Sequence, residues 1–143
     1  MHRAPVFMLD SNVVIEVLRP RPSVIRTRLQ RAYDDPHRAL VVSTVVIVEL
    51  WHGIEKSARP AQNAELLRRF LNGGVTIVAF EYADAALAGT LRAHLEQAGT
   101  PIGAYDVLIA AHARRLGATL VTANVREFAH MPGLDWEDWS APV

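Results

Sequence analysis

The 143 residues contain no cysteine, so disulfides, thiolate metal sites and cysteine nucleophiles are excluded, and any metal must be held by oxygen or imidazole. Net charge is missing too. Fifteen Lys and Arg balance fifteen Asp and Glu, which removes a whole-molecule attraction to polyanions and leaves local patches as the only route. Lysine is almost absent, Lys56 being the only one. No apolar run is long enough to span a bilayer, and Met1–Arg3 is followed by only six apolar residues before Asp10, too few for a signal-peptide core. A soluble, cytoplasmic protein without a membrane segment is expected. What is present is a 50% hydrophobic composition, enough at this length for one compact domain, residues 1–143, with a real core and no linker.

The chain is organised around Val6–Asn12. Val6–Leu9 are four apolar residues without alternation, as expected of a parallel strand buried on both faces. Asp10 then stands at the strand's carboxyl end, which in open α/β sheets faces the ligand crevice. Asp10 or Ser11 equally suits the N-cap of a helix over Val13–Leu18, and the stretch alone leaves both roles open. Arg19-Pro20-Arg21-Pro22 breaks that helix, and Ser23 can cap a second one carrying Val24, Ile25 and Leu29 inward as far as Asp34-Asp35-Pro36. Ala39–Val42 repeats the strand pattern, with Ser43-Thr44 suited to cap a helix to about Ser57.

That helix has Val45, Val46, Leu50 and Ile54 as its buried stripe, with Glu49 beside it. Ala61–Leu71 reads as an amphipathic helix with Leu66, Leu67, Phe70 and Leu71 inward, stopped by Asn72-Gly73-Gly74. Val75–Phe80 reads as a third strand. The Ala83–Gln97 helix is capped by Asp84 and carries Leu87, Leu91 and Leu95 at four-residue spacing. The helix over Ala104–Leu116 holds Asp106 in its first turn and is apolar along one side. Thr119–Thr122 reads as a fourth strand, and Leu134–Trp139 as an added edge strand, with Trp136 and Trp139 pinning the tail. Repeated strand–helix units predict a parallel sheet covered by helices on both faces, with right-handed crossovers.

Three acids share a setting: Asp10 after strand one, Glu49 in the helix after strand two, and Asp106 in the helix before strand four. The ends of neighbouring central strands converge on one crevice, so these side chains can meet there. Clustered carboxylates raise one another's pKa unless a cation compensates, and Mg²⁺ or Mn²⁺ is the natural partner of oxygen ligands. Such a site can polarise a water for in-line attack on a phosphodiester. Taken singly, each acid has a plainer role: a cap, a solvated helix residue, a favourable charge at a helix start.

Met8-Leu-Asp-Ser-Asn12, Ser43 with Val48-Glu-Leu50, Pro101-Ile-Gly-Ala-Tyr-Asp106 with Leu108-Ile-Ala-Ala-His112, and Leu120-Val-Thr-Ala-Asn124 with Arg126-Glu-Phe128 together resemble PIN-domain ribonucleases, in particular the VapC toxins of bacterial toxin–antitoxin pairs. The resemblance runs from about Val6 to Trp139. It implies a three-layer α/β/α fold around a mainly parallel sheet of four to five strands. Asp10, Glu49 and Asp106 would be catalytic, metal-binding acids, with Ser11, Asn12, Ser43 and Thr122 in support. The family's usual fourth acid falls at Asn124, an amide; Glu127, three residues on, can supply a carboxylate or simply pair with an arginine. The resemblance further implies Mg²⁺- or Mn²⁺-dependent endoribonuclease action on structured RNA, transfer RNA foremost, restraint by a cognate VapB-type antitoxin in a groove beside the site, and a homodimer.

Between Arg19 and Arg38, six arginines face only Asp34 and Asp35, so Arg19, Arg21, Arg26 and Arg28 form a candidate RNA-facing patch; solvated helix faces look the same. Trp51, Ile54 and Leu66–Leu71 are candidates for a dimer or antitoxin surface, or ordinary core. His52 and His112 lack ligand spacing and read as structural. A haloacid-dehalogenase-type phosphatase is disfavoured because Asn12 stands where a second aspartate is wanted, and a dinucleotide binder because no glycine-rich loop follows Val6–Leu9. The remaining alternative is a non-catalytic RNA- or antitoxin-binding module with a decayed fourth position at Asn124.

Overall fold

The computed structural model describes residues 5–141. Met1–Arg3 therefore lie outside the described residues. The apolar runs become strands β1 (Val6–Leu9), β2 (Ala39–Ser43), β3 (Thr76–Val78), β4 (Thr119–Val121) and β5 (Trp136–Glu137). They form one sheet in the order β3-β2-β1-β4-β5, with every pairing parallel. Parallel neighbours need long crossovers. These are supplied by α1 (Ser11–Leu18), α2 (Val24–Asp34), α3 (Thr44–Glu55), α4 (Pro60–Leu71), α5 (Tyr82–Gln97), α6 (Ala104–Leu116) and the single turn α7 (Val125–Phe128). The result is a three-layer α/β/α arrangement.

The central strand, β1, buries Met8 and Leu9 completely, and the helices add Val13, Val14, Val46, Leu67, Leu95 and Ile109 to the same core. The chain builds β2 and β3 on one side of β1, then returns to place β4 and β5 on the other. The strand order therefore reverses between β1 and β4, and the crevice at the carboxyl ends of these two strands is where such sheets accept ligands.

Several expectations shift. The first helix starts at Ser11, not Val13, because Asp10 is its N-cap. The third strand is shorter than Val75–Phe80: the chain leaves the sheet after Val78, and the Phe80 amide instead donates to Thr44 Oγ1 at 3.0 Å. Val24 is 41% exposed, standing at the first position of α2 beside the Ser23 cap, and Leu66 is 40% exposed, while its neighbour Leu67 is buried. Leu66 thus belongs to a surface groove and Leu67 to the core. Trp139 is buried against Phe7, ring centroids 5.6 Å apart, with the Arg28 guanidinium 5.6 Å from its ring centroid; Trp136, 37% exposed, stands on the edge strand in register with Leu120.

Candidate active site

The β1–β4 register pairs Leu9 with Val121, so the next residues along, Asp10 and Thr122, come side by side. Asp10 is buried to 2% exposure. Its Oδ2 accepts from the Thr122 hydroxyl at 2.9 Å and its Oδ1 from the Ser11 amide at 2.8 Å, while its backbone carbonyl receives the amides of Val13 and Val14. Capping and site placement, left open by the sequence, are thus combined in one residue. Burial raises the Asp10 carboxyl above its ordinary range, and the bonds from Thr122 and Ser11 pull it partly back.

Glu49 reaches the crevice from α3, whose start is fixed where β2 ends: Ser43 Oγ accepts from the Val45 amide at 3.1 Å. Burial raises the Glu49 carboxyl, the Asp10 charge raises it further, and the Ser11 hydroxyl opposes both. Glu49 Oε1 is buried and has no hydrogen-bond partner among the described residues. Asp106, in the first turn of α6, is half-buried, and its carboxyl is pushed up to about 6 by burial and then by the charges of Asp10, Glu127 and Glu49. The structure therefore brings the three predicted acids into one electrostatic neighbourhood.

It also separates the two candidates for a fourth acid. Asn124 turns its backbone amide onto Thr122 Oγ1 at 2.9 Å. Glu127 accepts from the Gly103 amide at 3.3 Å, and its charge, after that of Asp10, helps to raise the Asp106 carboxyl, so of the two candidates Glu127 is the one that brings a negative charge to the cluster. Asn12 Oδ1 accepts from the Ala123 amide at 3.4 Å, steadying the loop after β4.

Ser43 stands apart from the acids. Besides capping α3, its hydroxyl shares a 2.8 Å hydrogen bond with His112 Nδ1, and both side chains are wholly buried. Burial holds the His112 imidazole below its ordinary range, so it sits there neutral, as a structural histidine. Asp84 caps α5 from within its first turn, accepting from the amide of the N-cap residue Glu81 at 2.8 Å, and it is ion-paired with Arg115. Burial pushes its carboxyl up, yet those contacts outweigh it and leave it below the usual carboxylate range.

The predicted arginine patch is largely committed elsewhere. Arg19 and Arg21 both pair with Glu16, at 3.2 and 3.3 Å; Arg26 donates to the Val17 and Arg19 carbonyls; Arg28 donates to the Asp138 carbonyl at 3.1 Å. Arg26 and Arg28 therefore act as braces of α1 and of the tail.

An apolar groove of about 330 Å³ runs beside the acids, lined by Ile15, Leu18, Leu50, Ile54 and Leu66, with Glu49 at its rim. Trp51 lies outside it, under the Arg68 guanidinium at 5.3 Å. Among the described residues, no three His, Cys, Asp or Glu side chains form a ready-made metal-ligand group. The donor set nevertheless suits a hard divalent cation. It is all carboxylate, it includes a buried oxygen without a partner, and its members hold one another's pKa up. Mg²⁺ usually keeps several waters and takes only one or two carboxylates directly, which loosely gathered acids allow.

Comparison with known proteins gives the family. Residues 7–134 match the family model described as PIN domain. The chain is 36% identical over 134 residues to the tRNA(fMet)-specific endonuclease VapC of Shigella flexneri, covering 94% of this chain and 98% of the relative. It is 38% identical over 133 residues to ribonuclease VapC2 of Haemophilus influenzae, covering 93% and 97%. Among solved structures, VapBC2 from Rickettsia felis, bound to a DNA fragment from its promoter, superposes with a TM-score of 0.86 at 34% identity over 94% of this chain and 98% of that one.

Proposed function

Because the chain belongs to the PIN-domain family and, within it, to the VapC ribonucleases, we propose that it is a metal-dependent endoribonuclease toxin cleaving structured RNA, neutralised by a VapB-type antitoxin. Transfer RNA is the substrate class of choice, supported by the tRNA(fMet)-specific naming of the Shigella flexneri relative. Asp10, Glu49 and Asp106 are the acids that would hold Mg²⁺ or Mn²⁺, with Glu127 as the fourth. The observation that carries this reading is the Asp106 carboxyl, pushed up to about 6 partly by three neighbouring carboxylates. Such crowding is costly in a protein that holds no cation there, and it is relieved in one that does.

When bound, the metal supplies charge neutralisation at the scissile phosphate and a more acidic water. The chain's own residues do the positioning. Thr122 and the Ser11 amide fix both oxygens of Asp10, so this carboxylate is oriented before any ligand arrives. The apolar groove along α1, α3 and α4 supports docking of an antitoxin segment beside Glu49, and VapBC complexes are among the structural neighbours. A homodimer, implied by the family resemblance, is part of the same proposal.

The test is cleavage of total transfer RNA and of initiator tRNA by purified, antitoxin-free protein, with Mg²⁺, with Mn²⁺ and with EDTA, beside Asp10→Ala. Discrete cuts by the parent alone, abolished by EDTA, support the reading. No cuts by the folded, metal-loaded parent would give first place to a non-catalytic binding module.

A further inference from the structure

Glu49 borders a second cleft, distinct from the apolar groove. From α3 and the residues just after it, the groove takes Leu50, Ile54 and Ser57, whereas this cleft, of about 580 Å³, takes Val48, His52 and the C-cap residue Lys56, with Tyr105 of α6 across from them. Glu49 and Gly53 are shared and form the ridge between the two. At about 100° per residue, Val48, His52 and Lys56 lie along one strip of the helix. Lys56 is two turns beyond Glu49, about 10 Å of rise at 1.5 Å per residue.

The chemistry of this cleft is unlike that of the groove. Tyr105 is 49% exposed and lines the cleft together with Glu49. Lys56 lines this cleft and makes no ion pair among the described residues, unlike Arg19 and Arg21 near the groove, which both pair with Glu16. A cation without an ion pair and a half-exposed aromatic side chain thus line a cleft bordered by Glu49, one of the carboxylates that would themselves repel a phosphate.

Resting on the ribonuclease reading above, we infer that this cleft is the subsite for an unpaired nucleotide next to the scissile phosphodiester, its phosphate held by Lys56 and its base stacked on Tyr105. Stacking accepts any base but requires one already out of a helix, since paired bases have no free face. The lysine offsets the repulsion of the acids close to where the backbone passes, on a stem long enough to follow it.

The experiment uses a labelled unpaired oligoribonucleotide and a blunt duplex of the same sequence, bound without divalent metal by the parent, Tyr105→Ala, Tyr105→Phe and Lys56→Ala. Cleavage of transfer RNA with Mg²⁺ and the oligomeric state are followed in parallel. Tyr105→Ala is expected to weaken unpaired binding by about tenfold, with Tyr105→Phe restoring most of it, because stacking needs only the ring. Lys56→Ala lowers the slope of log affinity against log salt by about 0.7, one phosphate contact on a single strand. In cleavage, both alanine variants raise KM with kcat held.

Variants that bind and cleave like the parent overturn the subsite and leave the ribonuclease reading standing. A parent that cleaves nothing yet binds unpaired RNA through Tyr105 and Lys56 overturns the ribonuclease reading and keeps the subsite. Affinity lost together with a change of oligomeric state assigns the cleft to an interface between copies and overturns the proposal.

Discussion

Replacing Asp106 by Asn should stabilise the metal-free protein above pH 6 and leave it unchanged near pH 4. The Asp106 carboxyl rises from 3.8 to about 6 on folding, so between those values the folded state binds more protons than the unfolded one. Stability contributed by this group therefore falls as pH rises through that window, and the full penalty is present above pH 6. Two pKa steps correspond to about 3 kcal/mol. Asp106 is only half-buried, and solvent screening reduces this to about 1 kcal/mol. The rise persists although the first turn of a helix favours a negative charge, so the neighbouring acids and burial dominate. For a chain of this length, about 1 kcal/mol is a Tm gain of about 3–5 °C. Differential scanning calorimetry in EDTA at pH 4 and pH 7.5 reads it. Adding Mg²⁺ at pH 7.5 should then raise the parent's Tm more than the variant's, since only the parent keeps the full set of acids. An Asp106→Asn variant less stable than the parent at pH 7.5 without metal, or equally shifted at both pH values, would refute the crowding argument.

Two further outcomes follow from the same geometry. Glu127→Gln should raise the Mg²⁺ concentration needed for half-maximal RNA cleavage, while Asn124→Ala leaves it close to the parent's, because Glu127 supplies a charge that acts on Asp106 and Asn124 has none to lose; the reverse order in a metal titration would return the fourth position to Asn124. Ser43→Ala removes the α3 cap and strands the buried His112 Nδ1, costing about 2 kcal/mol in urea unfolding, and an unchanged urea midpoint would show that the Ser43–His112 bond is dispensable.

The sheet was legible because each central strand is an apolar run that ends in a polar residue, and because Ser23 and Ser43 mark helix starts by chemistry that acts locally. Strand ends were less so. Whether Val75 and Phe80 belong to β3 depends on Thr44, thirty-six residues before Phe80 in sequence, whose hydroxyl takes the Phe80 amide and draws the chain off the sheet. Leu66 and Leu67 show the same limit for burial. Both fit an inward helix face, and only the packing of α4 beside α1 and α3 decides that one enters the core and the other lines a groove.

Of the site, the acids could be read singly and their meeting inferred from strand ends, since a parallel sheet whose order reverses at β1 must bring Asp10 beside Thr122. The arginines could not be read that way. Their density between Arg19 and Arg38 suggests a surface for RNA, but charge counts do not reveal that Glu16 accepts two of the guanidiniums and backbone carbonyls two more. Lys56, on the strip with Val48 and His52, was not singled out by the sequence as part of a site, because its place in a cleft depends on Tyr105 arriving opposite from α6. That ridge-and-cleft arrangement gives Glu49 two neighbours of opposite character. An apolar segment in the groove and a nucleotide in the cleft would press on one carboxylate from two sides, so a partner seated in the groove need not fill the cleft to disturb what happens there.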